Sequence, residues 1–80
     1  MKILYFSTAA TQTGLREETW PLAEPVTLAA CWEGLIARHP GLAELKSCCL
    51  VARNQELVRD ENTLLQPGDE IALLPPFSGG

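Results

Sequence analysis

Apolar side chains open the chain as an almost unbroken block, Lys2-Ile3-Leu4-Tyr5-Phe6-Ser7, the pattern of a central strand covered on one face and met by a partner on the other. Thr11-Gln12-Thr13-Gly14 has turn composition, and Arg16 to Leu22 can pair back as a second strand. The period then changes. Leu28, Cys31, Trp32, Leu35 and Ile36 fall at i, i+3, i+4, i+7 and i+8, one stripe of a helix over 28–38 with Thr27 as N-cap and Pro40-Gly41 past its end. Gly34 lies off that stripe, and Trp32 lies on it as a core residue. Ser47 to Arg53 reads as a buried strand, Asn54-Gln55 turns the chain, and Glu56-Leu57-Val58 returns as a short strand. Residues 64–70 read as a short helical or 3₁₀ segment with a Pro67-Gly68 turn, before a last strand Ile71-Ala72-Leu73-Leu74.

The order ββαβββ, with one helix across one face of a mixed sheet, is an α+β arrangement that resembles the ubiquitin-like β-grasp, its first and last strands side by side and parallel. Strand alternation then sorts the side chains. If Ile3 and Tyr5 face the helix, Leu4 and Phe6 face away; Ile71 and Leu73 point inward, Ala72 and Leu74 outward. Phe6, Leu57 and Leu74 on an open face would form an apolar patch of the kind that marks a protein interface. The plainer alternative leaves each singly exposed, which needs no partner.

Composition narrows the functions. The 80 residues, 46% hydrophobic and 20% charged, suit one small packed domain over 1–74 followed by a flexible tail over 75–80. A net charge of −4 with six scattered Lys and Arg argues against nucleic acid and suits a partner with a basic face. No stretch approaches the roughly 20 apolar residues of a membrane span, and the N-terminal run is too short for a secretory signal, so the expected setting is the cytosol. Cys31, Cys48 and Cys49 show no CxxC or His spacing, which indicates neither a metal site nor a disulfide framework. Buried free thiols are expected, with strand alternation separating Cys48 from Cys49. His39, at the end of the helix, reads as structural.

The chemistry concentrates at the end of the sequence. Pro75-Pro76 lack backbone N–H groups and end the sheet, and the six residues Pro75-Pro76-Phe77-Ser78-Gly79-Gly80 can reach at most roughly 20 Å. Gly79 and Gly80 have no Cβ, so they pass a channel too narrow for other residues. The Gly80 carboxylate, with a terminal pKa of roughly 3.3 to 3.7, is ionised at neutral pH and can attack an activated phosphate.

The run from Leu65 to Gly80, which joins Pro67-Gly68-Asp69-Glu70, four apolar residues, Pro75-Pro76, two further residues and Gly79-Gly80, is similar to the signature of the molybdopterin synthase small subunits, the MoaD-like sulfur carriers. The likeness extends through Leu4-Tyr5-Phe6, Arg38-His39-Pro40-Gly41-Leu42 and Asn54-Gln55 before Leu57. It departs at Ala10-Thr11, where the family often carries Arg-Glu, and at Ala52-Arg53-Asn54. The resemblance implies that a ubiquitin-activating-like adenylyltransferase uses ATP to adenylate Gly80, and that a sulfur donor enzyme converts it to a thiocarboxylate. It also implies that the tail, Pro75 to Gly79 included, enters the large catalytic subunit in a two-plus-two heterotetramer, where sulfur passes to cyclic pyranopterin monophosphate. Phe6, Leu57 and Leu74 would face the partners. The chain alone would bind no cofactor or metal and would not be catalytic. Sulfur carriers for thiamine synthesis or tRNA thiolation, a lysine-conjugating protein modifier and an inert interaction domain are the alternatives.

Overall fold

A computed structural model of the chain describes residues 1–76. Its sheet is built on the alternation of two strands. In β1 (Lys2–Tyr5) Ile3 and Tyr5 are buried while Lys2 and Leu4 are not, and in β7 (Glu70–Leu74) Ile71 and Leu73 are buried between half-buried neighbours. The two strands lie parallel, Ile3 opposite Ile71 and Tyr5 opposite Leu73, so their inward residues stack in one layer. β2 (Glu17–Thr19) pairs antiparallel with β1, and β4 (Leu50–Arg53) pairs antiparallel with both β7 and β5 (Glu56–Val58). The resulting order, β2-β1-β7-β4-β5, puts the last strand at the centre of a five-stranded mixed sheet.

Helix α2 (Leu28–Arg38) covers one face of that sheet. Thr27 Oγ1 accepts the Ala30 N–H at 3.1 Å and caps its first turn. The stripe foreseen from the sequence is the buried one: Leu28, Cys31, Trp32 and Leu35 join Ile3, Ile71 and Leu73 in the core, with Ile36 partly covered at its border. Each fully buried Leu or Ile contributes about 1.5–3 kcal/mol of transfer free energy.

Several elements differ from the sequence reading, each for a local reason. The first strand stops at Tyr5 because Ser7 takes φ 52°, and Thr8–Thr13 then form a short helix, α1, in place of the expected turn. Ala9 is its buried contact, and Gly14, at φ 74°, ends it with an N–H to Ala10 O hydrogen bond of 2.8 Å. The second strand is shorter than Arg16–Leu22. Leu64–Leu65 are not helical but form strand β6, antiparallel to β3 (Val26–Thr27) in a second, two-stranded sheet that buries Leu65. The Ser47–Arg53 strand begins only at Leu50, since a 3₁₀ helix over Pro40–Glu44 and the turns after it occupy the preceding chain.

Gly34 also has a packing role that its place off the stripe concealed. A Cβ there would lie 3.1 Å from the Trp20 ring, so the missing side chain lets the indole lie against α2.

Candidate functional site

The face of the sheet turned away from α2 carries the candidate interface. Register alone assembles it. Leu4 lies opposite Ala72, Ala72 opposite Ala52, and Ala52 opposite Leu57, a single row across four strands. One step toward the end of β7, Leu74 lies opposite Leu50, and Phe6 follows β1 with its N–H donating to Leu73 O at 3.3 Å. Phe6 is 46% exposed, Leu50 44% and Leu57 53%, while Leu4, Ala72 and Leu74 are half-buried. Small alanines at the centre and large apolar residues around them make a shallow floor with a raised rim. The sequence reading had Phe6, Leu57 and Leu74; Leu50 was missed. Its parity was available once Val51 was recognised as inward, because Leu50 and Ala52 must then share the outer face.

The outer face has an acidic margin. Glu17 stands opposite Leu4 and pairs with Lys2 at 3.4 Å, while Glu70 lies at the start of β7, one residue before the inward Ile71. Pro75 is half-buried and Pro76 exposed where the chain leaves β7. Phe77, Ser78, Gly79 and Gly80 lie outside the described residues. Among the described residues, no group of His, Cys, Asp and Glu is gathered as a metal centre.

Two polar clusters fix the strands that present this face. Asp69, buried in the Pro67-Gly68-Asp69-Glu70 turn, accepts the Gln66 N–H at 2.7 Å, Asn54 Nδ2 at 3.1 Å and Arg53 Nε at 2.7 Å. Burial by itself would raise its pKa, but those three donors and the Arg53 charge outweigh it and hold the carboxyl below its usual range. Asn54 and Gln55, at φ 49° and 73°, form the two-residue turn foreseen between β4 and β5.

The second cluster centres on Glu18. Burial again acts to raise its pKa, yet hydrogen bonds with His39 Nε2 at 3.0 Å, Tyr5 Oη at 2.7 Å and Arg38 Nη1 at 2.9 Å bring the carboxyl down to about 2. Burial and the Glu18 contact push the Tyr5 phenol upward. Arg38 also lies over the Trp20 ring at 4.5 Å, and the Tyr5 and His39 rings meet edge to face. His39 is therefore a structural tie between α2 and β2, as its position in the sequence implied.

The cysteines depart from expectation. Cys31 is buried and its thiol is pushed up to about 11, but Cys48 is exposed and Cys49 half-buried. Both precede β4, so strand alternation does not separate them.

With this geometry in view, the architecture is that of the ubiquitin-like proteins. SAMP1 from Haloferax volcanii superposes with a TM-score of 0.84 at 26% identity, covering 99% of this chain and 97% of that one. The subunit 1 and 2 complex of molybdopterin-converting factor from Helicobacter pylori contains a chain that matches with a TM-score of 0.67 at 25% identity, covering 99% and 96%. The ThiS family model matches residues 3–80. The molybdopterin synthase sulfur carrier subunit of Homo sapiens is 42% identical over 82 residues, covering 100% of this chain and 93% of the relative. That of Arabidopsis thaliana is 35% identical, covering 100% and 82%. The chain belongs to the ThiS family and, within it, to the molybdopterin synthase sulfur carrier subunits.

Proposed function

We propose that the chain carries sulfur as a thiocarboxylate on Gly80 and delivers it, as the small subunit of a molybdopterin synthase, to cyclic pyranopterin monophosphate. The observation that carries this reading is that the ThiS match runs through residue 80 and takes in Gly79-Gly80 behind Pro75-Pro76. A glycine carboxylate is a poor acyl donor until activated, so an adenylyltransferase first joins it to AMP from ATP, releasing pyrophosphate. Sulfide equivalent from a donor enzyme then displaces AMP and leaves the thiocarboxylate. No general acid or base of this chain takes part; the large subunit supplies them, and this chain supplies the sulfur and the docking face.

The Helicobacter pylori complex of subunits 1 and 2 supports a large-subunit partner, and the apolar outer face of Phe6, Leu50, Leu57 and Leu74 beside the base of the tail is the surface that would meet it. The family pattern of two large and two small subunits, and a cytosolic setting, belong to the same proposal. A second reading, a protein modifier attached through Gly80 to lysines, draws on the likeness to SAMP1.

The deciding experiment is the intact mass of the chain isolated from its own cells without reductant or alkali. One oxygen replaced by sulfur, mapped to Gly80 and lost in a variant lacking Gly80, is the expected result. Unmodified chain accompanied by lysine conjugates would overturn it in favour of the modifier.

A further inference from the structure

Cys48 and Cys49 sit together on a recess beside α2 that shares Leu50 with the outer sheet face. It has a volume of about 270 Å³ and is lined by Leu28 and Trp32 of α2 and by Val51 and Val58, with Lys46, Arg59 and Glu61 as its charged residues. The two thiols are the nucleophiles within it, and Cys48 is the exposed one. Both side chains belong to the turn segment before β4, so consecutive residues can address one cavity. Lys46 pairs with Glu61 at 3.6 Å, and Arg59 has no ion pair among the described residues.

We propose that Cys48 and Cys49 form a thiol–disulfide exchange pair whose co-substrate is a small disulfide bearing carboxylates, of the glutathione disulfide class. The Cys48 thiolate attacks one sulfur of the disulfide and expels the other half as a thiolate, leaving a mixed disulfide on Cys48. Cys49 then attacks the Cys48 sulfur and expels the second half, closing a Cys48–Cys49 disulfide across one peptide bond. Two thiol protons go to the two expelled thiolates, and two electrons pass from the cysteines to the co-substrate. Lys46 and Arg59 would meet the carboxylates of the incoming molecule.

The order of attack follows from accessibility. Burial pushes the Cys49 thiol up to about 11, and its sulfur contacts Leu50 O at 3.4 Å. Cys49 thus carries on the order of one thiolate in ten thousand at neutral pH, and the mixed disulfide on Cys48 is the long-lived state there.

The test treats the full chain with glutathione disulfide at neutral and alkaline pH and follows intact mass and peptide mapping. Expected are one glutathione on Cys48 and none on Cys31, and conversion to a chain lighter by two hydrogens at a rate rising about tenfold per pH unit. Cys49→Ser should trap the adduct, and Cys48→Ser should slow modification more than about tenfold. Equal reactivity of the Cys48→Ser variant, or an adduct that never loses glutathione at alkaline pH, would overturn the pair. If a neutral disulfide such as hydroxyethyl disulfide reacts as fast, the assignment of the co-substrate class fails.

Discussion

The two faces of one sheet make opposite use of the same strands. Toward α2, Ile3, Tyr5, Ile71 and Leu73 are at most 3% exposed, and each touches a helix residue's territory; one residue away in sequence, Phe6 remains 46% exposed and Leu4, Ala72 and Leu74 half-buried. The inner face also carries polar residues, on the edge strand β2 and at the end of β4. Glu18 lies opposite Ile3 on β2, and Arg53 lies opposite Ile71 on β4. Each has its own set of partners, the Tyr5–Arg38–His39 group in one case and Asp69 in the other. The outer face shows the reverse, apolar at its centre and edged by glutamates with loose or no partners. The face that holds the fold satisfies its charges internally, whereas the outer face leaves its apolar centre open, as the proposed docking role requires.

That contrast can be broken most forcefully from the inside. Leu73→Ala should destabilise the domain by about 3 kcal/mol, read from urea unfolding, because it empties a fully buried site at the centre of the sheet. Leu74→Ala, the next residue, should cost less than about 1 kcal/mol by the same measurement. Equal losses at the two positions would abolish the distinction between faces.

Acid should act next most strongly, through Glu18. Its carboxyl titrates near 2 in the folded chain against an ordinary 4.5, so its contribution is complete above about pH 4.5 and is lost as pH falls toward 2. After allowance for its partial exposure that contribution is on the order of 2 kcal/mol. Glu18→Gln should lower stability at pH 7 and flatten the acid limb of the stability profile between those values. An unchanged profile would show that Glu18 is not the titrating group.

On the outer face the expected losses are in binding. Phe6→Ala and Leu57→Ala should each weaken association with the large subunit by about 1–2 kcal/mol in calorimetric titration, with little change in unfolding midpoint. Leu50→Ser tests the residue that sequence reasoning overlooked and should cost about 1 kcal/mol in the same assay. Gly34→Ala is the smallest probe; a Cβ 3.1 Å from Trp20 must displace the indole, offsetting much of alanine's advantage in a helix of roughly 1 kcal/mol.

The sequence carried the parts of the fold that depend on periodicity. The alternation in residues 2–6 and 70–74, the stripe of α2 and the Thr27 cap are local signals, and all of them appear in the structure. What escaped had no period to read. Thr8–Thr13 is a single short helix of small and polar residues whose only deep contact is Ala9, and β3 and β6 are two residues each, defined by their pairing alone. The Glu18 and Asp69 clusters join side chains from 13 to 21 positions apart, a separation at which no pattern along the chain distinguishes partners from bystanders. For the candidate site, parity gave Phe6 and Leu74, whereas Leu50 was hidden because Ser47 to Arg53 reads as buried throughout and only the inward Val51 sorts its two neighbours.

The position of β7 between β1 and β4 has a consequence for how the molecule comes into being. Until residues 70–74 have been synthesised, β1 with β2 and β4 with β5 are separate two-stranded ribbons, and such ribbons are marginal in water. The strand that closes the sheet is also the one that leads into the Pro75-Pro76 step. Because its pairing with β1 joins residues about 70 positions apart, closure is governed by long-range contacts and waits for residues 70–74 to be synthesised. A nascent product cut short before residue 70 therefore lacks the closed sheet and the Gly79-Gly80 end alike.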